Sequence, residues 1–195
     1  MTREPDDLQR IFEFIIELDK LKAIVRRTKP TVLERYENSA EHSWQVCLLA
    51  VLLAQHSRQP VDVTRVVEIL LVHDIPEIDA GDRIVYEAPS DARTATERQA
   101  ASRIFGILPE PQANWCMSRW EEYEARESSE AVFAYAMDRL MPVLHNLESH
   151  GQSWRENNVS LEKVLSVNAV IGEVLPAVWE RVQVLIAKNG AGDRT

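Results

Sequence analysis

The sequence is short of the residues that staple or turn a chain. It holds two cysteines, Cys47 and Cys116, far apart and outside any C-x-x-C pair. That argues against a disulfide framework or a cysteine-built structural zinc site and fits a reducing compartment. Glycine is scarce at six, while Ala, Leu, Glu and Arg are plentiful, which favours helix. No apolar run approaches the roughly 18–20 residues of a membrane span. The apolar stretch from Ile11 to Ile24 is broken by Glu13, Glu17, Asp19, Lys20 and Lys22, so it does not read as a signal peptide. Basic charge is also in deficit, with 22 Lys and Arg against 31 Asp and Glu, a net charge of −9. A chain of that sign is a poor binder of nucleic acid or anionic membrane, although a local basic pocket stays open. The expectation is a cytoplasmic protein with neither as partner.

What is present reads as one globular domain over residues 1–195, 45% hydrophobic and 27% charged. Apolar residues recur at helical spacing over 6–26, where Leu8, Ile11, Phe12, Ile15 and Ile16 share a face, with Pro5 and Asp6 as start signals. Residues 28–38 read as a loop. Ser39 caps a second helix to about Ser57, and a third runs from Val63 to His73. Asp74-Ile75-Pro76-Glu77 has the form of a capping box that starts a short turn ended by Gly81. After a loop over 82–89, helices follow from Ser90 to Phe105 and over 112–126, the second beyond a turn at Pro109 and Pro111. Ser128 or Ser129 caps a mostly apolar helix that Pro142 should kink. Residues 149–159 read as a polar loop. Ser160 caps a last helix interrupted near Pro176, and 190–195 read as a frayed tail. There is no repeat and no convincing strand, so the fold class expected is all-α.

Three polar sites fall where apolar residues are expected. The run Val66-Val67-Glu68-Ile69-Leu70-Leu71-Val72 ends in His73-Asp74. His42 lies in a first turn with apolar Val46 and Leu49 on its face. Asp138 sits in the middle of an apolar helix. A buried imidazole or carboxylate without a partner costs roughly 1–3 kcal/mol, and far more if charged. Each therefore needs hydrogen bonds or a metal ion. Taken singly the bland reading is the commoner one: an inward His is usually a satisfied core or capping residue, and a buried Asp is usually paired to Arg, here Arg139. Taken together, two imidazoles and two carboxylates make a mixed N/O donor set that suits Mn, Co, Fe, Zn or Mg more or less well.

The residues E-H-S-W at 41–44, H-D-I-P-E-I-D-A-G-D at 73–82 and M-D-R-L at 137–140 resemble the HD-domain metal-dependent phosphohydrolases, and more closely the bacterial HD-type 5'-deoxynucleotidases and their relatives. The resemblance covers roughly residues 10–185. It implies an HD-domain bundle of about six to eight helices. By resemblance His42, His73, Asp74 and Asp138 match the metal ligands, and Glu77 matches the acid that orients or deprotonates the attacking water. Asp82 matches a second acid facing phosphate and sugar. Arg27 has the spacing of the phosphate-binding Arg, with Arg26 the alternative. Thr28 follows Arg27 where the nucleotidases place a Trp that helps reject ribonucleotides, which leaves the sugar open. HD enzymes with two metals place further His between the dyad and the last Asp. Here there is none, so one divalent ion is expected.

What the resemblance implies is hydrolysis of a small phosphate ester, first a (deoxy)nucleoside 5'-monophosphate. The alternatives are a dNTP, an alarmone or another ester, or a regulatory HD protein without catalysis. Relatives suggest a homodimer, for which the Trp-bearing surface of 112–126 is a candidate. Plain readings stand beside these. Glu77 could be only a capping partner, Asp82 a turn residue and Asp79 a solvated one. His145 shares the Asp138 face, His56 and His150 are expected outside, and the five Trp are expected in the core, with Trp44 able to wall the pocket. Arg155, in the loop G-Q-S-W-R-E, could approach a second ligand group.

Overall fold

The computed structural model describes residues 6–87 and 90–192. Pro5, the last two residues of the 82–89 loop and residues 193–195 lie outside them. The chain is all-α. Seven helices have ten residues or more among the described residues: α1 Asp7–Glu17, α2 Ser39–Leu53, α3 Val63–Val72, α5 Asp91–Phe105, α6 Glu110–Ala125, α7 Ser129–Glu148 and α11 Pro176–Gly192. Four short ones lie between them: α4 Glu77–Ala80, α8 Gln152–Glu156, α9 Leu161–Val167 and α10 Val170–Val174.

The helix starts follow the capping chemistry of the sequence. The side chains of Asp6, Asp62, Ser90, Ser128 and Ser160 each accept from a backbone amide two or three residues on. One cap moves by a residue. Asn38, not Ser39, caps α2, in a reciprocal capping box with Glu41. Asp74 and Glu77 make no capping box, because both side chains turn inward, and α4 begins without a side-chain cap. Gly81 ends α4 at φ +74°, as its position predicts.

Several bounds differ from expectation. The first helix stops at Glu17 and passes through a 3-10 turn, Leu18–Ala23, into an extended segment. That segment is pinned by an antiparallel bridge between Val25 and Asn38. Pro111 lies inside the first turn of α6, where a missing N–H costs nothing. The loop expected over 149–159 contains α8, whose first amides, those of Ser153 and Trp154, are accepted by the buried Asn146 side chain of α7. A cap supplied by another helix is invisible to a local reading. The tail expected from residue 190 is helical to Gly192.

Two apolar clusters form. The larger joins α2, α3, α7, α10 and α11 around Phe133, Met137, Leu140, Ile69 and Ile186. The other joins α1, α5 and α6 around Ile104, Phe105, Trp120 and Phe14. In the first, α10 and α11 meet so closely that a Cβ on Gly172 would fall 2.5 Å from the Trp179 ring. α3 serves both clusters, with Val66, Ile69 and Leu70 in one and Val72 in the other. Its C-terminal end thus places His73 and Asp74 where the two meet.

The large apolar residues left outside are not where they were expected. On α6 only Trp115 stays substantially exposed, whereas Trp120 and Tyr123 are buried. Exposed apolar stripes instead run along α1 (Leu8, Phe12, Ile15, Ile16) and α2 (Trp44, Leu48, Val51, Leu52). Trp44, 67% exposed, is therefore on the outer surface and walls no pocket.

Candidate metal centre

Helices α2, α3 and α7 pack against one another and carry His42, His73-Asp74 and Asp138 to one point. The side-chain ligand atoms of His42, His73 and Asp138 all lie within 4.8 Å of one another. His42 Nε2 is 3.0 Å from Asp138 Oδ1, and His73 Nε2 is 3.8 Å from the same oxygen. Asp74 Oδ1 adjoins the group at 3.1 Å from His73 Nε2.

The outer nitrogens fix how the two rings present themselves. His73 Nδ1 is 2.7 Å from the Leu70 carbonyl, which can only accept, so Nδ1 carries the proton. His42 Nδ1 likewise faces the Glu37 carboxylate at 3.2 Å. Both imidazoles thus turn Nε2 inward, and buried His73 Nε2 has no hydrogen-bond partner. Outer nitrogen on an acceptor and inner nitrogen bare is how proteins orient metal-binding histidines. An orphaned imidazole nitrogen beside two carboxylates fits a divalent cation.

Acid groups crowd this point, and one guanidinium faces them. Arg26 Nη1 is 3.1 Å from Asp74, 3.5 Å from Asp82 and 4.0 Å from Glu77. Its Nη2 is 3.8 Å from Asp138 and its Nε 3.6 Å from Glu37. Burial works against the charge on Arg26, but Asp74, Glu77, Asp82 and Asp138 outweigh it and hold the guanidinium charged. Sequence spacing favours Arg27, yet Arg27 is exposed at the rim of the cavity. The reason is the extended backbone of 25–28, which bonds to Glu37 through the Arg26 amide and the Thr28 carbonyl. Side chains alternate along such a segment. Arg26 and Thr28 point in, and Thr28 donates to Glu37 at 3.2 Å.

The carboxyls differ sharply in their proton affinity. Burial, then the charge of Asp74, pushes Glu77 up to about 8 against the pull of Arg26, and its Oε2 accepts from Ser39 at 2.6 Å. Burial also raises Asp82. Burial would raise Asp138 as well, but His42 and His73 hold it well below the usual carboxylate range. Burial and Arg26 press His42 down, yet its bonds to Asp138 and Glu37 lift it to about 9.

Four residues near this point have no distinctive signal in the sequence. Glu37, 1% exposed, touches His42, Thr28 and Arg26 at once. Tyr123 donates to Asp138 Oδ2 at 2.8 Å, and Ser39 donates to Glu77. Tyr135, one of several aromatics in an apolar helix, lines the same cavity. His145 is buried as its register predicts, 3.8 Å from Glu37. His56, His150 and Arg155 are exposed, and Asp79 pairs at the surface with Arg103. A cavity of about 590 Å³ opens beside His73, Asp74 and Asp138 and runs past Tyr123 to Arg126, Tyr135 and Arg139.

The family model described as "HD domain" matches residues 18–179. The chain is similar to the 5'-deoxynucleotidase HDDC2 of Homo sapiens, 27% identical over 117 residues that are 60% of this chain and 56% of that protein. The corresponding protein of Danio rerio is 26% identical over 57% of this chain and 55% of its own length. The chain thus spans a little over half the length of the curated relatives it matches. A crystal structure from Magnetospirillum magnetotacticum MS-1, described as a predicted metal-dependent phosphohydrolase, is 40% identical with a TM-score of 0.88, over 95% of this chain and 96% of that one. A conserved hypothetical protein from Pyrococcus furiosus shares the fold at 23% identity and a TM-score of 0.60, over 88% of this chain and 98% of its own.

Proposed function

We propose, from the premise that this chain belongs to the HD domain family, that it is a metal-dependent phosphohydrolase acting on the 5'-phosphomonoester of a small nucleotide. The observation that carries this reading is the pair of inward-facing Nε2 atoms on Asp138 beside a charged, buried Arg26. The relatives that act on 5'-deoxynucleotides support the substrate class.

His42, His73, Asp74 and Asp138 would hold one divalent ion, which would supply Lewis-acid polarisation of the phosphoryl group and lower the pKa of water to near neutrality. Arg26 holds the phosphate through paired N–H donors, a geometry a Lys cannot match. Glu77 takes the proton of the attacking water. Its carboxyl is raised toward the working pH, where a general base is most effective. Asp82, on the same guanidinium, is assigned the sugar side of the phosphate. Glu37 orients His42 and Tyr123 orients Asp138.

Homodimerisation belongs to the same proposal, with the apolar stripes of α1 and α2 as the covered surface rather than α6, and light scattering on the purified chain measures it. So do a single domain over 1–195 and a cytoplasmic location. Both cysteines are free thiols, raised to about 11 by burial. No helix among the described residues is long and apolar enough to cross a membrane.

The test is phosphate release from a panel of nucleoside 5'-monophosphates, deoxyribose and ribose, with Mn or Co. Turnover that Glu77→Gln abolishes supports the reading. Absence of turnover on every ester, with metal shown to be bound, assigns the chain to the non-catalytic, regulatory alternative.

A further inference from the structure

The cavity has a second end that the proposed chemistry does not use. From the metal centre it is reached in two aromatic steps, His73 to Tyr123 with ring centroids 5.1 Å apart, and Tyr123 to Tyr135 at 6.1 Å. There Arg126 stacks on Tyr135 at 4.3 Å and Arg139 at 4.6 Å from the ring centroid. Neither guanidinium makes an ion pair or donates a hydrogen bond among the described residues, although the charge of Arg126 reaches Glu124 and that of Arg139 reaches Asp138, and Arg139 Nε is buried without an acceptor. The carboxyls on that side are otherwise engaged. Glu97 is held by Arg93 at 2.6 Å, and Glu124 is kept toward its neutral form by burial and then by Glu97.

Arginine in this state is unusual in a chain of net charge −9. Its planar fork is the protein's best bidentate partner for a phosphate, and stacking on an aromatic face presets its plane. Arg126 also occupies the left-handed region at the end of α6, φ +52° and ψ +39°, where glycine is commonest. A non-glycine residue kept there projects a long cationic side chain from a helix terminus into the cavity.

We propose that Arg126, Tyr135 and Arg139 form a second anion subsite, which takes a phosphoryl group that the substrate carries in addition to the one hydrolysed. This rests on the phosphohydrolase reading and adds to its substrate class nucleotides with more than one phosphate, bound more tightly than the 5'-monophosphate. The second group could stand on the sugar, as in a 3',5'-bisphosphate that keeps the 5'-phosphomonoester, or in a chain, as in a 5'-triphosphate, where the bond hydrolysed would lie within the triphosphate or at its junction with the sugar. In both cases the chemistry recognised is a phosphate dianion across the cavity from Arg26.

The experiment is equilibrium binding by calorimetry, with Mn present, to the full-length chain carrying Glu77→Gln, so that the ligands survive. The probes are deoxyadenosine 5'-monophosphate, its 3',5'-bisphosphate and its 5'-triphosphate. The expected result is that one polyphosphorylated ligand binds roughly tenfold or more tighter than the monophosphate, the gain of one charge-assisted fork. Adding Arg126→Met or Arg139→Met collapses that ratio, and Arg139→Lys, which keeps charge without the fork, recovers only part of it. Which ligand shows the preference tells a sugar phosphate from a chain phosphate. Equal affinity for all three, or a preference that survives both Met variants, overturns the subsite. Melting temperatures of the variants separate that result from misfolding. Because binding is read without turnover, a chain that hydrolyses nothing can still pass this test, so the subsite and the reaction fail separately.

Discussion

The two ends of the cavity are opposites in charge. At one, a single buried guanidinium faces Glu37, Asp74, Glu77, Asp82 and Asp138. At the other, two guanidiniums rest on one tyrosine and make no ion pair among the described residues. An excess of carboxylates in low dielectric can be tolerated only if protons or a cation neutralise it. Burial and the neighbouring charge of Asp74 lift Glu77 to about 8, and the bonds to Asp138 and Glu37 lift His42 to about 9, both toward the protonated form. A bound cation would meet the same need at the acid end. At the basic end Glu97 is paired with Arg93 and burial raises Glu124, so the two guanidiniums are left to a ligand's charge on the proposed reading. On the proposed reading an acidic protein thereby acquires a local field suited to phosphate, because sign is set by placement and not by net charge.

The acid end fails most completely if it loses its centre. Asp138→Ala removes the oxygen shared by both imidazoles. The expected outcome is loss of Mn binding by calorimetry and of phosphate release to background, and a fully active variant would contradict the site. Arg26 comes next. Arg26→Ala leaves buried carboxylates uncompensated, a change that costs on the order of 3–5 kcal/mol when a buried pair is broken. It should lower the melting temperature and raise KM, whereas Arg27→Ala at the rim should do little of either. A reversed order would return the phosphate to Arg27.

Smaller effects sharpen the picture. Glu37→Gln keeps the shape but removes the charge behind His42, and loss of such outer partners typically weakens metal affinity by about 10–100-fold. Tyr123→Phe should show a lesser loss, since Asp138 keeps its contact with His42. The smallest expected effect is in pH. Burial lowers His145 from its ordinary value of 6.5. The unfolded chain therefore takes up this proton before the folded one. The stability it contributes is fully present above pH 6.5 and is lost as pH falls toward the lowered value. His145→Gln should flatten part of the acid side of a melting-temperature profile, and an unchanged profile would exclude that role.

The fold and the gathering of His42, His73 and Asp138 at one point were legible because each rests on a local signal. Helical spacing and polar caps mark α2, α3 and α7, and a His-Asp pair after seven mostly apolar residues is conspicuous in the chain itself. The inward register of Arg26 was not, because it depends on a bridge between residues 25 and 38. Nor was α8, capped by a side chain of another helix. Glu37 and Tyr123 were hidden for the same reason: an acid in a charged loop and a tyrosine in an aromatic helix carry no mark of the partners that folding gives them. The apolar pattern of α6 predicted a surface, but Trp120 and Tyr123 belong to the interior.

The central claim is that His42, His73, Asp74 and Asp138 hold one divalent ion on which phosphate release depends. The most direct measurement is phosphate release from a deoxynucleoside 5'-monophosphate by chelator-treated protein, titrated back with Mn or Co. Activity should be absent after chelation and return in proportion to one bound ion per chain, and the Asp138→Ala protein should not regain it. Undiminished release from the stripped protein, or full recovery in the variant, would contradict the claim.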